Sequence, residues 1–160
     1  MVELRGIESR DIEELRKQRN NLYHYFRQFK PISEIEQDEW FENNNDIMFA
    51  IEIDEELSGC CGLTYIDMKN RKADLSLYMF DNYINSDTDE ALVKILDYGF
   101  NELGLNKIYT DIFEYDEKKS RLFENYGFKK DGVLRKHYYR DGKFWDAIVY
   151  SMLGEDYAKI

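Results

Sequence analysis

Two histidines, His24 and His137, and one adjacent pair of cysteines, Cys60 and Cys61, are the side chains of this 160-residue chain best suited to proton transfer or thiol chemistry near neutral pH. Neither histidine has a sequence partner that marks it as catalytic. His24 lies in the aromatic run Tyr23-His24-Tyr25-Phe26, and His137 follows Arg135 on a strand-like stretch; a packed or solvated imidazole is the plain alternative for each. Neighbours in a strand point to opposite faces, so a Cys60–Cys61 disulfide would be strained, and the apolar run around them reads as two buried thiols. Two histidines and two such cysteines make a metal site improbable, and none is expected. The chain also lacks G-x-S-x-G, H-E-x-x-H and G-x-x-x-x-G-K-[ST] patterns, so hydrolase, zinc and P-loop chemistries have no support. The remaining concentration of charge is acidic: Asp81, Asp87, Asp89 and Glu90 crowd one helix start.

The elements that must position these groups follow from periodicity. Val2 to Arg5 reads as a short strand. Asp11 is placed to cap a helix carrying Ile12, Leu15, Arg19 and Leu22 at helical spacing. Ser33 and Glu36 form a capping box that opens a second helix with Trp40 and Phe41. Met48 to Ile53, a turn at Asp54-Glu55-Glu56, and Leu57 to Tyr65 read as a hairpin, with Lys72 to Phe80 as a third long strand. A helix from about Asp87 to Leu103 buries Ala91, Leu92, Ile95, Leu96, Gly99, Phe100 and Leu103, with Asp87 and Glu90 as its capping pair. Lys107 to Phe113 is a strand, and Lys118 to Tyr126 a helix ended by Gly127. Val133 to Tyr139 and Phe144 to Leu153 close the chain as a hairpin around Asp141-Gly142.

Composition bounds the class. With 43% hydrophobic and 16% aromatic residues, one Pro and no linker-like stretch, residues 1–160 fit a single domain. No apolar run reaches membrane-spanning length and no basic-then-apolar leader is visible, so the expectation is a cytosolic protein without a membrane partner. A net charge of −11 argues against nucleic acid, whose phosphates need a basic surface.

Three segments carry a family resemblance. Asp116-Glu117-Lys118-Lys119-Ser120-Arg121-Leu122-Phe123-Glu124-Asn125-Tyr126-Gly127-Phe128, then Gly132-Val133-Leu134-Arg135, then Asp141-Gly142-Lys143-Phe144-Trp145-Asp146 resemble the C-terminal half of the GNAT acetyltransferase superfamily. Asp97 to Ile108 resembles its D-Y-x-F-x-x-L-x-L-x-x-I run. Arg16 to Asn20 and Gln37 to Phe41 resemble the R-N and Q-x-x-W-[FL] signatures of the branch acting on ribosomal-protein N-termini, polyamines and sugar-nucleotide amines. The resemblance implies an α/β (α+β) fold with a central mixed, mostly antiparallel sheet flanked by about four helices. It implies acetyl-CoA as acyl donor and a primary amine, on a small molecule or a peptide, as acceptor, and it admits a homodimer.

It also implies a site, with departures. Donor contacts fall on Tyr78, Met79 and Phe80 at the end of the third long strand and on the loop Tyr83, Ile84, Asn85, Ser86, Asp87 and Thr88. Further donor contacts fall on Asp116, Lys119, Ser120 and Phe123. In the family the loop reads [QR]-x-x-G-x-[GA] and holds the pyrophosphate on free helix N–H groups. Tyr83, Ser86 and Thr88 stand where its marked residues should be, and a distorted loop or a plain helix cap are both open. Asp116 replaces an Asn, and Phe123 replaces the Tyr often used as general acid, which a phenyl ring cannot imitate. Asp74 occupies the place of a carboxylate that takes the amine proton; the alternative is an outward polar residue of an alternating strand.

The acceptor is expected between the stretch holding Tyr23, His24, Phe26 and Arg27 and the stretch holding Arg135, His137 and Trp145. With Lys30, Lys136, Arg140 and Lys143 these stretches are locally basic, which favours an acceptor with an anionic part; charges scattered on solvated faces are the alternative. Two functions follow: an acyl-CoA-dependent N-acetyltransferase, or a protein of the same fold that has lost donor binding and serves as an interaction module.

Overall fold

The computed structural model describes residues 1–27, 30–43, 45–82 and 84–160. The strands are β1 (Val2–Gly6), β2 (Ile47–Ile53), β3 (Glu56–Asp67), β4 (Lys72–Met79), β5 (Lys107–Phe113), β6 (Lys129–Arg140) and β7 (Lys143–Leu153). The helices are α1 (Ile12–Asn21), α2 (Glu34–Asn43), α3 (Ser86–Asp97), α4 (Glu117–Asn125) and a single terminal turn, α5 (Gly154–Tyr157). Strand order is β1-β2-β3-β4-β5-β7-β6. The β1/β2, β2/β3, β5/β7 and β6/β7 pairs are antiparallel and β4/β5 is parallel, which gives the mixed α/β class the sequence implied. None of the described helices is long and apolar enough to cross a membrane. The chain divides into two compact units, residues 1–64 with 76–95 and residues 65–75 with 96–160.

In the first unit, Val2, Ala50, Ile51, Cys61, Leu63, Leu92 and Ile95 are fully buried. A second cluster joins Leu15, Cys60 and Tyr78 with Ile7, Phe26, Met48, Leu57 and Phe80. Gly59 lets β3 approach the end of β4, since a Cβ there would sit 2.5 Å from the Tyr78 carbonyl oxygen. The Asp54-Glu55 turn runs at positive φ in both residues (49° and 70°), the hairpin geometry that matches strand twist. Ser33 and Glu36 form the expected capping box: Glu36 N–H donates to Ser33 Oγ at 3.3 Å and Ser33 N–H to Glu36 Oε2 at 3.0 Å.

Two caps differ from expectation. Asp11 stands at the N-cap position of α1, as expected, but its side chain bonds no N–H of that helix; its carboxylate accepts the Glu8 N–H at 2.8 Å and both terminal nitrogens of Arg5 at 2.7 and 3.0 Å. At α3 the helix begins at Ser86 and its cap is Asn85, so the expected Asp87/Glu90 pair does not form. Asn85 Oδ1 accepts the Asp87 N–H at 3.0 Å and the Thr88 N–H at 3.4 Å, while Thr88 Oγ accepts the Asn85 N–H at 3.2 Å. A buried Thr88 supplies the second half of the cap that Glu90, exposed and paired with Lys94 at 3.6 Å, does not reach for.

The Arg5 bond holds the Asp11 carboxyl below its usual range. A depressed carboxylate stabilises the fold above its unfolded pKa, about 3.9, and that contribution disappears as pH falls through the folded value. Asp11→Asn should therefore cost about 1.5–3 kcal/mol at neutral pH, the worth of a charged hydrogen bond. The cost should shrink toward zero in the strongly acid range; urea melts of both proteins from neutral to acid pH check this, and a pH-independent difference would refute it.

In the second unit, Ile108, Ile112, Phe113, Leu122, Phe123, Phe128, Ala147, Tyr150 and Met152 are buried. The helix expected to reach Leu103 is α-helical to Asp97 and continues as a π turn over Tyr98–Glu102, closed by Leu103 N–H to Tyr98 O at 3.0 Å. Asp141 and Gly142 turn the last hairpin with φ of 52° and 74°. β6 is interrupted between Leu134 and Tyr138, where Lys136 has φ 49° and its N–H donates to Asp146 Oδ1 at 2.8 Å.

Candidate active site

In the first unit, β4 ends in Tyr78 and Met79, both buried, and the chain turns through Phe80–Asn82 with left-handed Asp81 and Asn82 (φ 58° and 52°). Tyr83 lies outside the described residues. Ile84, Asn85 and Asp87 are half-buried, Ser86 is exposed and Thr88 is buried. Asn85 has already taken the first-turn donors: Asp87 and Thr88 donate to its side chain and Asp89 to its carbonyl at 3.1 Å. Asp87 also accepts from Asn85 Nδ2 at 3.2 Å. A polyphosphate here would have to displace a neutral amide that satisfies those N–H groups and would meet the carboxylates of Asp81, Asp87, Asp89 and Glu90. This helix start does not fit a pyrophosphate as it stands.

The aromatic stretch is nearby in the same unit. Phe26 meets Tyr78 edge-on at 4.9 Å, and the Arg19 guanidinium lies 5.0 Å from the Phe26 ring centroid. Arg19 Nε is closed off from solvent and donates to no described acceptor, a condition that costs about 1–3 kcal/mol for a neutral donor and more for a charged one. Burial pushes the Cys60 thiol up to about 12, and burial first, then Cys60, holds the Tyr78 phenol well above its ordinary value. Both thiols are free and buried and act as packing. His24 stands edge-on between Tyr23 and Tyr25 at 6.5 and 5.5 Å; Tyr23 and Arg27 are exposed.

In the second unit, Asp74 is buried on β4 and sits in the parallel ladder that runs from Lys72↔Lys107 to Asp74↔Tyr109. Beyond Tyr109, β5 continues to Phe113 with its β7 ladder intact as far as Phe113↔Ala147. Asp116 caps α4, accepting the Lys119 N–H at 3.4 Å. Ser120 is buried one turn later, its hydroxyl without a hydrogen bond of good geometry. The same hydroxyl lies close enough to Tyr150 to lower that phenol's pKa, while burial and Glu124 raise it more. Tyr150 donates to Glu124 Oε1 at 2.6 Å. Phe123 is 1% exposed and packs edge-on against Phe128 at 4.8 Å.

Arg135 and His137 are exposed at the interrupted part of β6. Trp145 is half-buried; its Nε1 donates to Arg140 O at 2.9 Å, and its ring meets Tyr115 edge-on at 4.9 Å. Phe113 and Tyr138 extend this aromatic group, and the Tyr138 hydroxyl donates to Asp111. Much of the expected basic excess is engaged internally: Lys30 with Glu36, Arg140 over Phe113 at 5.4 Å, Lys143 over Trp145 at 5.7 Å. An open depression of about 540 Å³ is lined by Glu36, Glu39, Trp40 and Asn43 of α2 and includes none of the expected site residues.

Sequence reasoning did not single out Asn85 as a cap, Arg19 as an inward-facing charge, or the Asp111–Tyr138 pair. The N-x-x-T spacing of Asn85 and Thr88 is a readable capping signal. Arg19 and Tyr138 have none, because what distinguishes them is the partner that tertiary structure brings or withholds.

Residues 4–149 match the family model described as an acetyltransferase (GNAT) domain. An uncharacterized N-acetyltransferase, YoaA, of Bacillus subtilis is 34% identical over 100 residues, 62% of this chain and 56% of that protein. The match to a second uncharacterized N-acetyltransferase, p20 of Bacillus licheniformis, spans 65% of that protein, so less than two thirds of either relative is covered. Spermidine N(1)-acetyltransferase of Escherichia coli is 25% identical over 155 residues, 92% of this chain and 83% of that protein. The solved structure of spermidine N-acetyltransferase from Vibrio cholerae in complex with CoA and spermine superposes with a TM-score of 0.88, at 22% identity and 98% coverage of both chains, a likeness of fold.

Proposed function

The chain belongs to the GNAT acetyltransferase family, and from that premise we propose that it is an acyl-CoA-dependent N-acetyltransferase acting on a primary amine. The family match across residues 4–149 carries this reading, and because the match runs through both units we take residues 1–160 as one functional domain. Bound acetyl-CoA would supply the thioester carbonyl that the amine attacks; the new C–N bond replaces the C–S bond, and CoA leaves as a thiolate that water can protonate. The donor's arm would be held by the β4 end at Tyr78, Met79 and Phe80 and by α4 through Asp116, Lys119 and Ser120, while Phe123, 1% exposed, packs against Phe128 and offers the donor no surface. The loop Tyr83, Ile84, Asn85, Ser86, Asp87 and Thr88 stands where the family holds the donor's phosphates, with the cap described above to displace.

To Asp74 this reading assigns the proton that the amine loses as its nitrogen attacks. Its burial and its place in the β4/β5 ladder support the assignment, since a carboxylate on a fixed strand loses little entropy at the reaction step. As the family resemblance implies, Tyr23, His24, Phe26, Arg27, Arg135, His137 and Trp145 are assigned to the acceptor. The reading places the reaction in the cytoplasm, where acyl-CoA thioesters are made. It assigns no nucleic acid or membrane partner, in keeping with the net charge of −11, and admits a homodimer, which sedimentation would test.

A second reading is favoured by one observation, the occupied and acidic helix start at Asn85. In that reading donor binding is lost and the fold serves as an interaction module. Calorimetry with acetyl-CoA at low salt, alongside transfer assays on a panel of amines that includes spermidine, separates the two. Weak, salt-sensitive binding with measurable transfer is the expected result. Asp87→Asn with Asp89→Asn should tighten acetyl-CoA roughly 30-fold at low salt, since each of the two removed charges near an anion relieves about 1 kcal/mol in water. No binding in either protein would favour the module, and tight binding indifferent to the double substitution would remove α3's start from the donor site.

A further inference from the structure

Along the last turns of α1, the polar side chains flanking Arg19 are engaged. Arg16 pairs with Glu34 at 3.6 Å, Lys17 with Glu13 at 3.1 Å, Gln18 with Glu14 at 2.9 Å, and Asn20 with both backbone groups of Ile32 at 3.0 and 2.8 Å. Arg19 differs. It is half-buried, its guanidinium rests 5.0 Å from the Phe26 ring, its Nε is sealed without an acceptor, and no described carboxylate lies within ion-pair distance. Its other neighbours are the Cys60 thiol and the Tyr78 phenol, both neutral at physiological pH because burial opposes their ionisation. A permanent positive charge has thus been taken partly out of water and given an aromatic face but no anion at ion-pair distance, since the nearby Asp11 carboxylate is committed to Arg5; such an arrangement is costly unless an anion arrives from outside.

We propose that Arg19 is a specificity residue whose guanidinium receives a carboxylate carried by the acceptor amine. This rests on the acetyltransferase reading above. The ligand is a monoanion on charge grounds. A single guanidinium is neutralised by one carboxylate, whereas a phosphate of about −1.5 to −2 would leave uncompensated negative charge in a cluster of Phe26, Tyr78, Cys60 and Leu15. Planar N–H donors suit a carboxylate, which can accept two at once. The residues around it also belong to the right places: Tyr78 is at the β4 end assigned to the donor, and Phe26 is in the stretch assigned to the acceptor. The acceptor class is therefore an amino acid or a short peptide, in which amine and carboxylate are joined in one molecule, and not a bare polyamine.

The test uses amine pairs that differ only by the carboxylate, lysine against cadaverine and tyrosine against tyramine, read both by acetyl transfer and by calorimetric binding to the full chain. The carboxylate-bearing member should be preferred in kcat/KM. Arg19→Gln should raise its KM roughly 10- to 100-fold, the worth of a charged hydrogen bond, and leave the decarboxylated member unchanged. Arg19→Lys, which keeps the charge but loses the planar donors, should retain a reduced preference and carries the test if Arg19→Gln does not fold. If no amine is acetylated but the carboxylate-bearing members bind and Arg19→Gln abolishes that binding, the acetyltransferase reading fails and this one stands. Equal or inverted preference within the pairs, no binding by any member, or equal losses for both members in the variants would overturn it.

Discussion

Asp74→Asn should lower kcat by about 100- to 10,000-fold near neutral pH, the range over which a positioned proton acceptor contributes to a reaction. Asparagine has the same shape and can keep the strand's place in the Lys72–Asp74 ladder, so the substitution removes a proton acceptor with little change of backbone. An alkylamine of pKa near 10 is almost wholly protonated at neutrality, and attack requires that proton to leave. As pH rises toward that value the amine loses its proton to solvent, and the difference between wild type and variant should narrow. A pH–rate profile of both proteins on one acceptor measures this, with a melting curve to show that the variant is folded. Undiminished activity of Asp74→Asn across the profile would take the residue out of the mechanism.

The second large effect is on stability. Phe123→Ala should destabilise the protein by about 3–5 kcal/mol, because a fully buried phenyl ring is removed from the contact with Phe128 and the space is only partly refilled. For a chain of this size each kcal/mol moves the melting midpoint by roughly 2–4 °C, so a fall of about 6–20 °C is expected in a thermal melt. Phe123→Leu, which keeps most of the volume, should lose far less. A midpoint within a degree or two of wild type for Phe123→Ala would mean that the ring is not a core residue. Where the resemblance would place a proton-donating tyrosine, the structure holds a packing group, and no proton-transfer role is left for that position.

Much of the architecture was legible because it depends on local periodicity. Ala91, Leu92, Ile95 and Leu96 recur at helical spacing and are buried along α3; Ala73, Leu75, Leu77 and Met79 alternate and are buried along β4. The Ser33–Glu36 box and the Asp141-Gly142 turn were readable from side-chain reach and backbone preference alone. Asp11 and Asp87 were not. Each was a good cap by its local sequence, but Arg5 is brought to Asp11 by the first strand, and Asn85 with a buried Thr88 takes the α3 donors first.

By itself, then, the sequence determined the order of the main elements and the motif positions that carry the family resemblance, and the resemblance in turn implied the mixed sheet. The order and the motifs are written in spacings of a few residues. The tertiary structure alone decided which charges are answered. Lys30, read as part of a basic surface awaiting an anionic ligand, has Glu36 as its partner within the chain, while Arg19, read as one more residue of a helical stripe, lies against Phe26 with no described carboxylate at ion-pair distance. The reason is electrostatic. A charge's state depends on the dielectric and the counter-charges within a few ångströms, and residues far apart in sequence supply both.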